Sequence, residues 1–126
     1  MNGNRYLLDT NCIIEILQNN NLNLLHKLNN AEYVCVSVIS KIEFLAFPKI
    51  TKNDKVLFYN FLNIVDIIDL KSCDDTLIDT IINLRQEFKL KLPDAIIVAT
   101  AKVFGSTLLT RDKELLKLSL NYVDSF

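Results

Sequence analysis

Four short runs of β-forming residues recur along the chain, at positions 6–8, 33–36, 64–68 and 107–110. Each is followed by a stretch with helical periodicity. This alternation is the strongest constraint on the fold. Strand–helix–strand units close into a mostly parallel sheet with helices on both faces. The chain has only two glycines, Gly3 and Gly105, and two prolines, Pro48 and Pro93. So few breakers imply much helix and tight connections. At 126 residues, half of them apolar, the material suits one ordinary domain with a real core.

The elements can be placed in order. Tyr6-Leu7-Leu8 reads as a buried strand closed by Asp9, and Thr10 or Asn11 caps a helix with an Ile13, Ile14, Leu17 face. A polar break at 18–21 precedes a short helix marked by Leu22, Leu25 and Leu28. The run at 33–36 is the second strand. Ser37 then caps a helix whose expected core stripe is Val38, Ile39, Ile42, Leu45 and Ala46, ended by Pro48. Residues 56–62 predict a helix with Asn53 or Asp54 near its cap, and 64–68 a third strand. A longer helix is expected from about Cys73 to Phe88, with Leu77, Ile78, Ile81, Ile82 and Phe88 inward. Pro93 suits a first helical turn, with a helix expected over 94–104. Residues 107–110 form the fourth strand, 113–118 a short helix, and Tyr122-Val123 a possible edge strand.

Several function classes fall away. Fourteen basic against fifteen acidic residues leave the net charge at −1, so a nucleic-acid site has to be a local basic patch. The apolar run before Asp9 is too short for a signal peptide, and the longest unbroken apolar run, 95–99, is too short for a membrane span. Cys12, Cys35 and Cys73 are odd in number and form no CxxC pair, which suits reduced, partly buried thiols in a cytoplasmic protein. The one histidine, His26, lies on a Leu-rich helical segment and follows no strand, so Ser–His and Cys–His schemes lack a base. Two isolated glycines make no phosphate-binding loop.

Acids remain, at places where a parallel sheet gathers function: the carboxyl ends of its strands. Asp9 closes the first strand; as a helix cap it needs no further role, but Asp9, Thr10 and Asn11 are three capping residues where one suffices. Glu43 lies at the border of its helix's apolar stripe, and a plain solvent-facing Glu fits the pattern too. Asp94 is favoured by the dipole of the helix it opens, yet its surroundings, Leu92-Pro93-Asp94-Ala95-Ile96-Ile97, are so apolar that it is expected to be partly buried and to need a cation. Asp112 follows the fourth strand as a turn or cap residue, with Glu114 two positions on. Carboxylates drawn together repel, and a hard divalent ion relieves that; an all-oxygen cluster suits Mg²⁺ or Mn²⁺. The hydroxyls of Thr10, Ser37 and Thr110, and the amide of Asn11, are placed to orient carboxylates or water. Lys41, Arg85, Lys89, Lys91 and Arg111 are the bases nearest the junctions, candidates for RNA phosphate contact over a default of surface solvation.

Four stretches carry a resemblance: Leu7-Leu8-Asp9-Thr10-Asn11-Cys12-Ile13-Ile14, Val36-Ser37-Val38-Ile39-Ser40-Lys41-Ile42-Glu43-Phe44, Leu92-Pro93-Asp94-Ala95-Ile96-Ile97-Val98-Ala99-Thr100-Ala101, and Leu108-Leu109-Thr110-Arg111-Asp112. In this order and spacing the chain resembles the PIN domain, and within it the VapC-type toxin ribonucleases. The resemblance implies one domain over residues 1–126, built as a three-layer α/β/α sandwich around a sheet of four to five strands. It implies Mg²⁺ or Mn²⁺ held by Asp9, Glu43, Asp94 and Asp112, and hydrolysis of RNA by metal-activated water. It also implies a cognate antitoxin as partner and a homodimer. The fourth acid varies in position in the family, so Glu114 competes with Asp112, and Leu115 or Leu116 stands where the family commonly has an aromatic.

Two rivals differ in class. A receiver-type signalling domain would use Asp9 and Asp69 and leave Glu43 and Asp94 idle, but it normally has paired acids after the first strand. A PIN-like module that only binds a partner has no need of four acids. A DxDxT phosphatase is excluded by Asn11.

Overall fold

The computed structural model describes residues 4–126. Five strands, β1 (Arg5–Leu8), β2 (Tyr33–Ser37), β3 (Asp66–Ile68), β4 (Thr107–Leu109) and β5 (Val123–Asp124), form one sheet in the order β3-β2-β1-β4-β5. Every pairing is parallel. The expected edge strand is therefore present, and the sheet is parallel throughout. The helices are α1 (Thr10–Gln18), α2 (Leu22–Asn29), α3 (Val38–Leu45), α4 (Lys52–Leu62), α5 (Asp75–Phe88), α6 (Leu92–Val103) and α7 (Lys113–Leu116).

Side-chain alternation along the strands sends neighbours to opposite faces. Leu7, Cys35 and Leu108 join Leu77, Ile81 and Leu84 of α5, Leu115 of α7 and the buried run of α6. Tyr6, Leu8, Val36 and Leu109 join Cys12, Ile13 and Ile16 of α1 with Leu24, Phe44, Phe58, Phe61 and Leu62. Two cores flanking one sheet make the three-layer sandwich. Residues 95–101 of α6 are all buried, as a helix apolar on every side must be.

Several boundaries differ from the sequence pattern, for local reasons. α4 begins at Lys52 because Thr51 and Asp54 make a reciprocal capping box: Asp54 N–H donates to Thr51 Oγ1 at 3.1 Å and Thr51 N–H to Asp54 Oδ2 at 3.0 Å. Asp54 thus lies in the first turn beside the cap residue Thr51, near the cap as expected. α3 stops at Leu45, short of Pro48, and α5 starts at Asp75 with Asp74 as cap. β3 begins two residues late, leaving Ile64 outside it and exposed.

The inward face of α3 also differs. Ile42 is 58% exposed and Phe44 only 5%. Phe44 stacks on Phe58 with ring centroids 4.1 Å apart, and that large aromatic contact sets how the helix is turned. Similarly, Leu84 is buried in α5 while Ile82 is exposed. Cys12 and Cys35 are buried free thiols, pushed up by burial to about 12 and about 11; Cys73 is free but exposed, contrary to the expectation of partial burial. Among the described residues no helix is long and apolar enough to cross a membrane.

The sheet order has one functional consequence. The chain starts at the central β1, builds outward through β2 and β3, then crosses back to β4 and β5. The connections leaving β1 and β4 therefore diverge, and the crevice at such a reversal is where open parallel sheets place their ligands. Leu8 is in register with Val36 on one side and Leu109 on the other, so Asp9, Ser37 and Thr110 leave the sheet at one level.

Candidate active site

Asp9 is fixed from three directions. Its N–H donates to the Leu109 carbonyl at 3.1 Å, extending the sheet by one step. Its extended backbone (φ −69°, ψ 160°) makes it the cap of α1, with Oδ1 accepting from Thr10 N–H at 2.8 Å. Its Oδ2 accepts from the Thr110 hydroxyl at 2.7 Å. Thr110 is fully buried, and the same hydroxyl oxygen accepts from Asp112 N–H at 3.0 Å. One side chain therefore sets both the first acid and the backbone of the last.

Asp112 caps α7, its Oδ1 accepting from Glu114 N–H at 2.9 Å. Glu114 is exposed and lies 3.6 Å from Lys117. Glu43 reaches back across the cleft, its Oε1 accepting from the Thr10 hydroxyl at 2.7 Å. Asp94 stands in the first turn of α6 and is partly buried, as the apolar flanks suggested.

The four acids feel one another. Burial raises the Asp9 carboxyl above its ordinary range, against hydrogen bonds from Thr110 and Thr10, and the charges of Glu43 and Asp112 push it the same way. Burial raises Asp94 as well, aided by Asp112, Asp9 and Glu43 and opposed by Lys91. Among the described residues neither ion pair involves any of the four; they are Arg111–Glu15 and Lys117–Glu114. Nor, among the described residues, do any three His, Cys, Asp or Glu form a group able to enclose an ion by themselves. Asp9 and Asp94 thus stand among other acids with no paired base among the described residues.

The other expected residues divide. Thr10 and Thr110 bond directly to the acids. Ser37, buried, caps α3 by accepting from Ile39 N–H at 3.1 Å, and Asn11 is exposed on α1. Lys91 is the base whose charge reaches Asp94. Lys41, two residues before Glu43, lies over the Tyr59 ring at 5.9 Å. Arg85 and Lys89 line a shallow cleft with Ile82, Gln86 and Leu90. Arg111 is engaged by Glu15 at 3.2 Å and by the ring of Phe126 at 4.5 Å, and its Nε donates to the Phe126 carbonyl at 3.4 Å. His26 is exposed on α2 beside Asn30.

Two residues matter that the sequence pattern did not single out. Glu15, held by Asn19 and Asn21, anchors Arg111. Ser40 lies one turn before Glu43 and is wholly buried, with no partner for its hydroxyl among the described residues. Its spacing from Glu43 was the available signal. Asp69, the receiver-type acid, lines a different cavity with Ile67, Ile68, Lys71, Asp74 and Phe104. The sheet order also differs from the 2-1-3-4-5 arrangement of receivers.

Because Thr110 is buried and bonded on both sides, Thr110→Val is expected to destabilise the fold by about 1–3 kcal/mol, leaving Asp112 N–H without its acceptor. Urea unfolding should show a lower midpoint with an unchanged slope, and Thr110→Ser should recover most of the loss. A valine variant as stable as wild type would mean the bridge is unimportant.

Such a site, acids from several elements around the crevice of a parallel sheet, defines a class before it defines a family. The model of the PIN domain family matches residues 6–120. The chain belongs to that family. Similar solved structures include a toxin–antitoxin complex from Klebsiella pneumoniae, at 28% identity and a TM-score of 0.75, covering 94% of this chain and 95% of that one. VapBC2 from Rickettsia felis, bound to a DNA fragment from its promoter, gives 19% and 0.79 over 96% and 98%. DNA-bound VapBC from Salmonella typhimurium gives 17% and 0.77 over 96% and 97%. The latter two establish likeness of fold. No curated protein matches.

Proposed function

We propose that this protein is a metal-dependent endoribonuclease of the VapC type, the toxin of a toxin–antitoxin pair. It hydrolyses RNA phosphodiester bonds at a centre formed by Asp9, Glu43, Asp94 and Asp112. One observation carries the reading: four mutually repelling acids from separate segments lie near the sheet's reversal without an ion pair to a base among the described residues. Membership in the PIN family and the likeness to the Klebsiella pneumoniae complex over nearly the whole chain support it.

The donor set fits Mg²⁺ or Mn²⁺. All four candidates offer oxygen, which suits hard ions. Mg²⁺ usually keeps several waters and takes only one or two carboxylates directly; among the described residues no three acids form a ready-made cage for an ion. When bound, such an ion offsets the charge of the phosphate and makes water a better nucleophile.

The chain's own side chains do the rest. Thr110 and Thr10 N–H hold both oxygens of Asp9, and the Thr10 hydroxyl holds Glu43. Thr110 and Glu114 N–H hold Asp112 from either side. Asp94 forms no side-chain hydrogen bond among the described residues, so it is the acid left to orient the attacking water and take its proton at a carboxylate oxygen. Lys91, beside Asp94, is the first candidate to meet a substrate phosphate, then Lys41, with Arg85 and Lys89 further along and Arg111 restrained by Glu15. The partner is an antitoxin. The protein works as a homodimer in the cytoplasm, and exposed Ile42, Val56, Tyr59 and Ile64 offer apolar surface for contact.

Purified protein incubated with RNA should cut it in Mg²⁺ or Mn²⁺ and stop when EDTA removes the ion. RNA left intact under both metals, or cut equally in EDTA, would sink the reading.

A further inference from the structure

Beside the carboxylates, a groove of about 290 Å³ opens between α1, α3 and α4. Its mouth is shared with the acid cluster, because Thr10 and Glu43 line both. Its walls are largely apolar, built from Ile14, Phe44 and Ile50. Phe44 is already committed to Phe58, but Phe47 is 57% exposed and its ring has no aromatic partner among the described residues. Gln18 stands at the edge, its amide 3.5 Å from Asp54 Oδ1, a long contact that leaves hydrogen-bonding capacity free.

We propose that this groove is a nucleobase subsite. It takes one unpaired base of the RNA next to the scissile phosphate, stacked on Phe47 and read at its edge by Gln18. The choice of occupant rests on the nuclease reading. The volume lies just under the roughly 300–1,000 Å³ of ordinary small-molecule sites, which is room for one base. The chemistry also matches: a free aromatic face, an amide able to donate and accept, and a lysine, Lys49, on the lining for a neighbouring phosphate. The shared wall at Glu43 places the groove directly beside the acids. A nucleotide with its phosphate among the acids has its own base beside this opening.

The test uses neutral ribonucleosides in metal-free buffer, so that neither cleavage nor phosphate repulsion intervenes. Adenosine, guanosine, cytidine and uridine are titrated against wild-type protein while the methyl NMR signals of Ile14 and Ile50 are followed. At least one nucleoside should shift them saturably. Phe47→Ala should weaken that binding about tenfold, Phe47→Tyr should keep it, and Gln18→Ala should change the ranking among the bases. Ile82→Ala, on the other side of the sheet, should change nothing. No saturable shift up to the solubility limit, equal binding by Phe47→Ala, or tighter binding of leucinamide than of any nucleoside would overturn the proposal, the last in favour of a protein-docking groove. Binding without RNA cleavage would uphold the subsite and remove the nuclease reading; cleavage without a groove response would do the reverse.

Discussion

Asp94→Asn is expected to cleave RNA at least a hundredfold more slowly than wild type and yet, without metal, to melt about 3 °C higher. The two effects have one cause. Asp94 is a half-buried carboxyl raised by burial and by Asp112, Asp9 and Glu43, with only Lys91 opposing. Removing its charge relieves that repulsion, and about 1 kcal/mol shifts a domain of this size by a few degrees. The same change removes the group proposed to take the proton of the attacking water, a contribution usually worth about 10²–10⁴-fold. Ordinary damage to the fold would lower activity and stability together. Thermal melts in EDTA beside cleavage rates in Mg²⁺ separate the cases, and a variant less stable than wild type would contradict the electrostatic account.

Millimolar Mg²⁺ should raise the melting temperature of wild type by on the order of 10 °C. Binding to the folded state alone adds about 2.7 kcal/mol when the free ion reaches about 100 times its Kd. Asp9→Asn and Asp94→Asn should lose most of that gain. The pH dependence follows with its sign. The carboxyls of Asp9 and Asp94 are raised in the folded protein, so between the ordinary carboxyl range and their raised values the folded state holds more protons than the unfolded. Stability contributed by these groups is therefore present at acid pH and lost as pH rises through the raised values. Wild type minus Asp94→Asn isolates one such group from opposing ones such as Glu15, which is lowered by its bonds to Asn19 and Asn21. Mg²⁺ should flatten the difference; no shift with Mg²⁺ at any pH would speak against a metal centre.

Much of this was legible in the chain because the signals were local. Strand–helix alternation fixes a parallel sheet, and an acid following a strand is carried to its carboxyl end whatever the packing. Asp9 needed little more to be placed there, whereas Asp112 and Glu114 stood as competing candidates for the last acid. What sequence could not supply was rotation about a helix axis. The stripe through Ile42 is a fair helical pattern, but the Phe44–Phe58 stack overrides it and leaves Ile42 exposed. That turn also bears on how Glu43 meets Thr10. Nor could it supply pairings over long separations. Thr110 with Asp9 spans 101 positions, and Arg111 with Glu15 depends on how the loop after β4 folds over α1. Nearness to a strand end made Arg111 a candidate for phosphate contact; its neighbours also tie that loop to α1 and Phe126.

The Thr110 bridge joins fold to chemistry. A fully buried hydroxyl just past β4 donates to Asp9 and accepts from the backbone N–H of Asp112, so one residue at the end of that strand ties the two acids together. Thr10 does the same for Glu43 from the helix that Asp9 caps. On the nuclease reading, groups held this way would need little reorganisation when charge develops at a substrate phosphate.

The most direct test is RNA cleavage by wild type, Asp9→Asn and Asp94→Asn, side by side at equal Mg²⁺. The expected result is metal-dependent cutting by wild type and a loss of at least about a hundredfold in both variants, each still folded. Variants that cut as fast as wild type at the same metal concentration would show that these carboxylates are not the centre of a nuclease.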